Sequence, residues 1–304
     1  MRALIVTAMW PSPEDPALGS FVRDQVEALR RIDGVEVDVF AFPPRGYARA
    51  MKKIRAQHRG GGHDVVHAHF GLTAWVALAL GGPEPVAVTL HGTDVRHPRS
   101  RRITQAALGR VDLIAAVSEE LAAAAPGRHD VRVLPCGVDT HRFAPVPRRI
   151  ARERLGLPAD EPCLLFPADP VRPAKRHDRA LEVADGARLI SLGGVDPASV
   201  PLWINAANAV VLPTETEGFG LAVLEALACD VPVLTTPVGI HPEALAGVDG
   251  SLCTPFELDA WRALAAVHLA AADPRVAGRA SAERWSADRM AERVVAAWRE
   301  LLGA

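Results

Sequence analysis

The stretch NAVVLPTETEGFGLAVLEALACDVPVLTT (residues 208–236) holds an apolar run, a turn built on Gly218-Phe219-Gly220, a helical pattern and a second apolar run. NAVVLPT is short, valine-rich and closed by Pro213, which reads as a buried strand. LAVLEALAC repeats apolar residues at helical spacing, placing Leu221, Leu224 and Ala228 on one face. VPVLTT is the next strand. Strand, helix and strand in succession, with strands apolar throughout, form the unit of a parallel sheet covered on both faces.

The same alternation extends in both directions. Upstream lie ALIVTAM, VEVDVFAF, DVVHAHF, PVAVTLHG, VDLIAAVS and VRVLP, separated by helical patterns such as FVRDQVEALRRI and EELAAAA. CLLFPAD and ARLISLGG join NAVVLPT and VPVLTT in a second series, with helices at RHDRALEVA, VPLWINAA and ELDAWRALAAVHLAA. The fold class is therefore α/β, with two doubly wound parallel-sheet domains. The segment RFAPVPRR (142–149) reads as their joint, giving domains 1–144 and 145–304. The last pattern, ADRMAERVVAAWRELL, is amphipathic and either caps the second domain or crosses back to the first.

Composition bounds the function. The 304 residues are 49% hydrophobic and 23% charged, a globular balance with length for two ordinary domains. A formal net charge of -2 argues against wholesale nucleic-acid binding. Residues 1–144 carry 18 Lys+Arg against 15 Asp+Glu and the remainder 16 against 21, so an anionic or membrane-associated partner would suit the first half better. Cys136, Cys163, Cys229 and Cys253 lie far apart with no CxxC pair, which reads as reduced buried thiols and no metal site. The opening MRALIVTAMW reads as a first strand rather than a signal peptide, and no apolar run approaches the ~18–20 residues of a membrane span. The expectation is a soluble, cytoplasmic protein.

Open parallel sheets bind ligands at the carboxyl ends of their strands. There, Gly218-Phe219-Gly220 brings backbone close to a ligand and leaves free N–H groups at a helix start, a natural anion site. Glu217 precedes the turn and Glu225 lies a turn inside the helix. Carboxylates accept from pairs of hydroxyls, so two flanking an anion site fit a ribose, a diphosphate and a sugar. Two plainer readings stand beside this one: a loose dinucleotide fingerprint, and two carboxylates that serve only helix start and solvent.

EGFGLAVLEALACDVPVLTTPVGIHPEAL resembles the donor-binding signature of retaining glycosyltransferases of family 4, with seven residues between its two glutamates. LPCGVDTHRFAP, VDLIAAVSEEL, LHGTD and DVVHAHF resemble further segments of that family, each at its expected place along the chain. The resemblance implies the GT-B architecture, two Rossmann-like domains facing across a cleft, an acceptor domain first and a nucleotide-sugar donor domain second. It implies no cofactor.

Roles follow by resemblance. Glu225 binds the ribose. Glu217, with Gly218, Phe219, Gly220 and Leu221, holds the donor sugar and distal phosphate. Lys175 and Arg172, after a strand of the second domain, neutralise the leaving diphosphate without a metal. Lys175 stands out by itself, since the chain has three lysines and 31 arginines. Arg172 follows Ala168-Asp169-Pro170, where the family has a glycine. His91 lines the sugar pocket from the first domain, and Gly19 opens the first helix towards the phosphate or the acceptor. His67 and His69 are expected to serve strand packing and loop hydrogen bonding.

The implied reaction is metal-independent sugar transfer with retention, through an oxocarbenium-like same-face displacement rather than a covalent intermediate. A UDP-sugar is favoured over a GDP-sugar, and the acceptor is a hydroxyl of a glycan, a lipid-linked molecule or a small molecule. Only residues 176–188 separate Lys175 from LISLGG, so a strand and helix beside the base pocket are missing. RGYARAMKKIRAQHR reads either as a peripheral membrane contact or as a solvated helix. A GT-B epimerase or phosphorylase and a non-catalytic sugar-nucleotide binder remain as alternatives.

Overall fold

The computed structural model describes residues 1–127 and 130–303. They form two compact units, Met1–Gly137 with Ala287–Ala304, and Val138–Ser286.

The first unit is built on β1 (Arg2–Thr7), β2 (Glu36–Ala41), β3 (Val65–His69), β4 (Val86–Leu90), β5 (Leu113–Ala116) and β6 (Val131–Val133). All pair in parallel, in the order β2-β1-β3-β4-β5-β6. β3 and β4 are buried along their whole length, as near-continuous apolar runs require, whereas the edge strand β2 leaves Glu36 and Ala41 exposed. Helix Ser20–Arg30 buries Val22, Val26 and Leu29, at i, i+4 and i+7, against Met290, Val294 and Trp298 of helix Ala287–Leu302. Arg31 pairs with Asp288 at 2.7 Å on the rim of that contact. The amphipathic last helix thus groups with the first unit.

The second unit carries β7 (Cys163–Phe166), β8 (Arg188–Ser191), β9 (Ala209–Leu212), β10 (Val233–Thr235) and β11 (Leu252–Cys253), parallel in the order β11-β10-β9-β7-β8. Leu164, Phe166, Val211, Leu234 and the fully buried Trp261 centre its core. Residues 142–149, read as a joint, belong to this unit. Phe143 is buried, Arg279 donates to the carbonyls of Thr140 and Phe143, and Arg275 to that of Val146. Helix Arg148–Leu155 then begins inside the expected joint.

In both sheets the first strand is internal, the second pairs on one side of it and the third on the other. The order reverses between β1 and β3, and again between β7 and β9. At such a reversal the following loops diverge to opposite faces and leave a crevice at the carboxyl edge.

Candidate functional site

In the second unit the loops after β7, β9 and β10 interlock at that edge. Glu215 N–H donates to Ala174 O at 2.9 Å, Thr214 Oγ1 donates to the same carbonyl at 3.1 Å, and Arg176 joins Glu215 at 2.6 Å. Lys175, in the turn Pro173–Lys175, is buried, and its Nζ donates to Glu217 Oε1. Both side chains are nearly enclosed, at 11% and 13% exposure, so each charge leans on the other rather than on water. Arg172 is exposed on the same loop, two residues beyond Pro170.

The glycine turn is held from below. Gly220, at φ 109°, is the N-cap of helix Leu221–Ala228, whose first N–H groups have no intrahelical acceptor. Ile240 N–H donates to Phe219 O at 2.8 Å. His241 is fully buried, and its Nδ1 lies 2.8 Å from Thr235 Oγ1 and 3.0 Å from Thr236 O. A carbonyl only accepts, so Nδ1 carries the proton and Nε2, facing Gly220, is a bare lone pair without a partner among the described residues. Burial lowers the His241 pKa, and the Glu217 charge works against that. The helix buries Val223, Leu224 and Ala226–Ala228, while Leu221, Ala222 and Glu225 are half-buried. Leu221 thus shares a face with Glu225, one turn on, and not with the buried Leu224. Burial, with the Glu225 charge adding, pushes the Cys229 thiol up to about 12.

The structure therefore brings Lys175, Glu217 and the 218–221 turn together at the β7/β9 reversal, with Glu225 on the helix that follows. Sequence reading gave no role to His241, whose signal was only a histidine directly before Pro242.

In the first unit, His91 follows β4 and Gly19 opens helix Ser20–Arg30 at φ 66°, its Cα against Met9. The His91 ring packs against both Phe21 and Phe70, with centroids at 5.0 and 4.6 Å. Asp94 pins the surrounding turns, its carboxylate accepting from the N–H groups of Gly71 (3.0 Å), His91 (3.1 Å) and Gly92 (2.8 Å). Burial raises its pKa and those three bonds oppose the rise. Burial pushes His91 down to about 3 and His67 to about 4. Among the described residues, no three His, Cys, Asp or Glu side chains stand close enough to hold a metal ion. No described helix is long and apolar enough to cross a membrane.

Residues 6–142 match the model for Glycosyltransferase Family 4, and residues 168–271 that for Glycosyl transferases group 1. The D-inositol 3-phosphate glycosyltransferase of Mycobacterium avium (strain 104) is 30% identical over 333 aligned positions, covering 88% of this chain and 77% of that one. The chain belongs to the group 1 glycosyltransferases of family 4. Solved structures similar to this glycosyltransferase include the sucrose-phosphate synthase of Thermosynechococcus elongatus (TM-score 0.74, 20% identity, 99% of both chains). HepE of Anabaena, in complex with UDP-glucose, is similar too (TM-score 0.73, 18% identity, 99% of this chain and 100% of that one). At such identities the likeness establishes the fold, which is GT-B.

Proposed function

We propose that this glycosyltransferase moves a sugar from a nucleoside-diphosphate sugar, with UDP as the favoured carrier, to a hydroxyl acceptor, with retention and without a metal. The observation that carries the donor side is the Lys175–Glu217 pair beside the Gly218–Gly220 turn at the sheet's reversal. An incoming diphosphate takes over the Lys175 ammonium and lies against the N–H groups at the helix start, with Arg172 as the exposed second cation. Glu217, released from Lys175, accepts from sugar hydroxyls, and Glu225 from the ribose. His91 and Gly19 we assign, by family resemblance, to the donor sugar and to the phosphate or acceptor.

Cations held where charge develops on the leaving phosphate lower the barrier most, and the departing oxygen takes the acceptor's proton on the same face. Once the diphosphate takes Lys175, Glu217 is given to the sugar hydroxyls, a binding role rather than that of a nucleophile. HepE of Anabaena, of the same fold, holds UDP-glucose in its crystal structure, which supports the UDP preference. Lys52, Lys53, Arg49 and Arg55 lie exposed or half-exposed on helix Tyr47–His58, which suits an anionic acceptor or membrane surface.

The test is thermal unfolding with UDP, GDP, ADP and TDP on the wild type, Lys175→Ala and Glu225→Ala. UDP at a hundredfold excess over its Kd stabilises by ~2.7 kcal/mol, a rise of several degrees. That rise is expected to vanish in both variants. No response to any nucleotide, or a response that survives Lys175→Ala, would overturn the donor site. Slow hydrolysis of the UDP-sugar separates an enzyme from a binder.

A further inference from the structure

Three histidines meet near the carboxyl ends of β3 and β4, and their proton positions follow from their partners. Trp298 Nε1–H can only donate, and it points at His67 Nδ1 from 3.1 Å. His67 therefore accepts there and carries its proton on Nε2, 2.7 Å from Thr89 Oγ1. His69 is fully buried and stacks on His67, with centroids 5.2 Å and planes 13° apart. Its Nδ1 lies 3.0 Å from His91 Nε2. Its Nε2 is buried and has no partner among the described residues.

Burial holds both rings neutral, His69 well below the ordinary imidazole value, so one proton occupies the contact between them. If His91 donated it, the remaining proton of His69 would sit on Nε2 as a buried N–H with no acceptor. If His69 donates, its Nε2 is left as a bare lone pair. An orphaned buried N–H is the rarer and more costly of the two. We infer that His69 fixes His91 as the Nδ1–H tautomer, which makes His69 a positioning residue and His91 a hydrogen-bond donor, not a base, towards its ligand. Phe21 and Phe70 pack against the ring at tilted angles, Asp94 anchors its backbone and His69 sets its proton. The ligand side of this inference rests on the assignment of His91 to the donor sugar; the tautomer does not.

Long-range 1H–15N spectra of the whole chain labelled with 15N-histidine read the tautomer directly, with signals assigned through His67→Phe, His69→Phe and His91→Phe. The expected pattern is a protonated Nδ1 and a bare Nε2 on His91. In His69→Phe the His91 proton moves to Nε2 or exchanges between the two nitrogens. His69→Asn, whose Nδ2–H lies where the His69 Nδ1–H was, keeps the original pattern. In UDP-sugar hydrolysis, His69→Phe lowers kcat about tenfold through misplacement of His91, and His69→Asn recovers most of it.

A wild-type His91 protonated on Nε2 overturns the inference, as does a pattern that His69→Phe leaves unchanged. So does hydrolysis that needs His91 yet is indifferent to His69→Phe in a folded protein. The expected spectra with hydrolysis indifferent to both His69→Phe and His91→Phe uphold the tautomer and remove His91 from the sugar.

Discussion

A methyl group added at Gly220 would meet His241 Nε2 at 2.4 Å, and at Gly239 it would meet Phe219 O at 2.3 Å. Both glycines also have positive φ, 109° and 56°, which an L side chain adopts at a cost of ~1–2 kcal/mol. Gly156 shares the strain at φ 66° but has nothing within 4 Å of the added atom. Gly156→Ala is therefore expected to cost about 1 kcal/mol, and Gly220→Ala ~3 kcal/mol or more, since the buried His241 ring has no space to withdraw. Urea unfolding measures the difference, and equal losses would show that the contact with His241 does not matter. Nucleotide binding should survive in Gly156→Ala and fail in Gly220→Ala. The turn was legible in the sequence because glycines announce themselves locally. His241 was not, because its closeness to Gly220 is made by two strands folding side by side.

At the scale of elements, the arginine-rich composition finds its use inside the second unit. The buried Arg152 donates to the carbonyls of Pro158, Ala159, Glu161 and Ala206, and Asn208 accepts from Arg148 at 2.6 Å. Arg279 joins Thr140 O (2.9 Å) and Phe143 O (3.1 Å) to Ala228 O (3.0 Å), which fastens 140–143 to the end of helix Leu221–Ala228. A planar guanidinium spreads over several carbonyls where an ammonium cannot. Arg279→Ala should lower stability by ~2–4 kcal/mol, and Arg279→Lys should recover less than half of that. Full recovery by lysine, read from chemical unfolding, would show that charge alone suffices. The strands β1–β10 were legible as apolar runs, since a strand covered on both faces must be apolar throughout. β11 is two residues long, and helix Arg148–Leu155 turns Arg148, Ala151 and Arg152 inward, so neither left a run of apolar residues to read. The reading of 142–149 as a joint followed from its prolines; the arginines that pack it against the second unit lie more than 100 residues away in sequence.

For the whole molecule, parallel sheets could be read from the alternation of strands and helices, but not the order in which strands pair. That order puts the reversals beside β1 and β7 and so decides where ligands bind. It also puts His67 and His69 in the interior of the first unit, with His91 half-buried beside them, which has a consequence for pH. His67, His69, His91 and His58 all have pKa values lowered by burial below the ordinary 6.5. Above that pH, folded and unfolded chains are both neutral at these positions and the histidines contribute nothing to pH dependence. Below it the unfolded chain takes up protons that the folded one refuses, so stability falls with falling pH. Each fully responding group contributes ~1.4 kcal/mol per pH unit, so the three most buried approach ~4 kcal/mol per unit near pH 5. The raised carboxyl of Asp94 opposes this as a single group. Asp38, lowered by its hydrogen bond with His63 and then by Arg2, and Glu300, lowered by Arg132, destabilise on protonation only at more acid pH. In the second unit burial lowers His241 and His268, each opposed by a hydrogen bond to a carbonyl. Amide hydrogen exchange at pH 7, 6 and 5, corrected for intrinsic rates, should therefore show β3 and β4 losing protection faster than β7 and β9. Parallel losses in both units, or none by pH 5, would mean that the first unit's histidines are already protonated when folded.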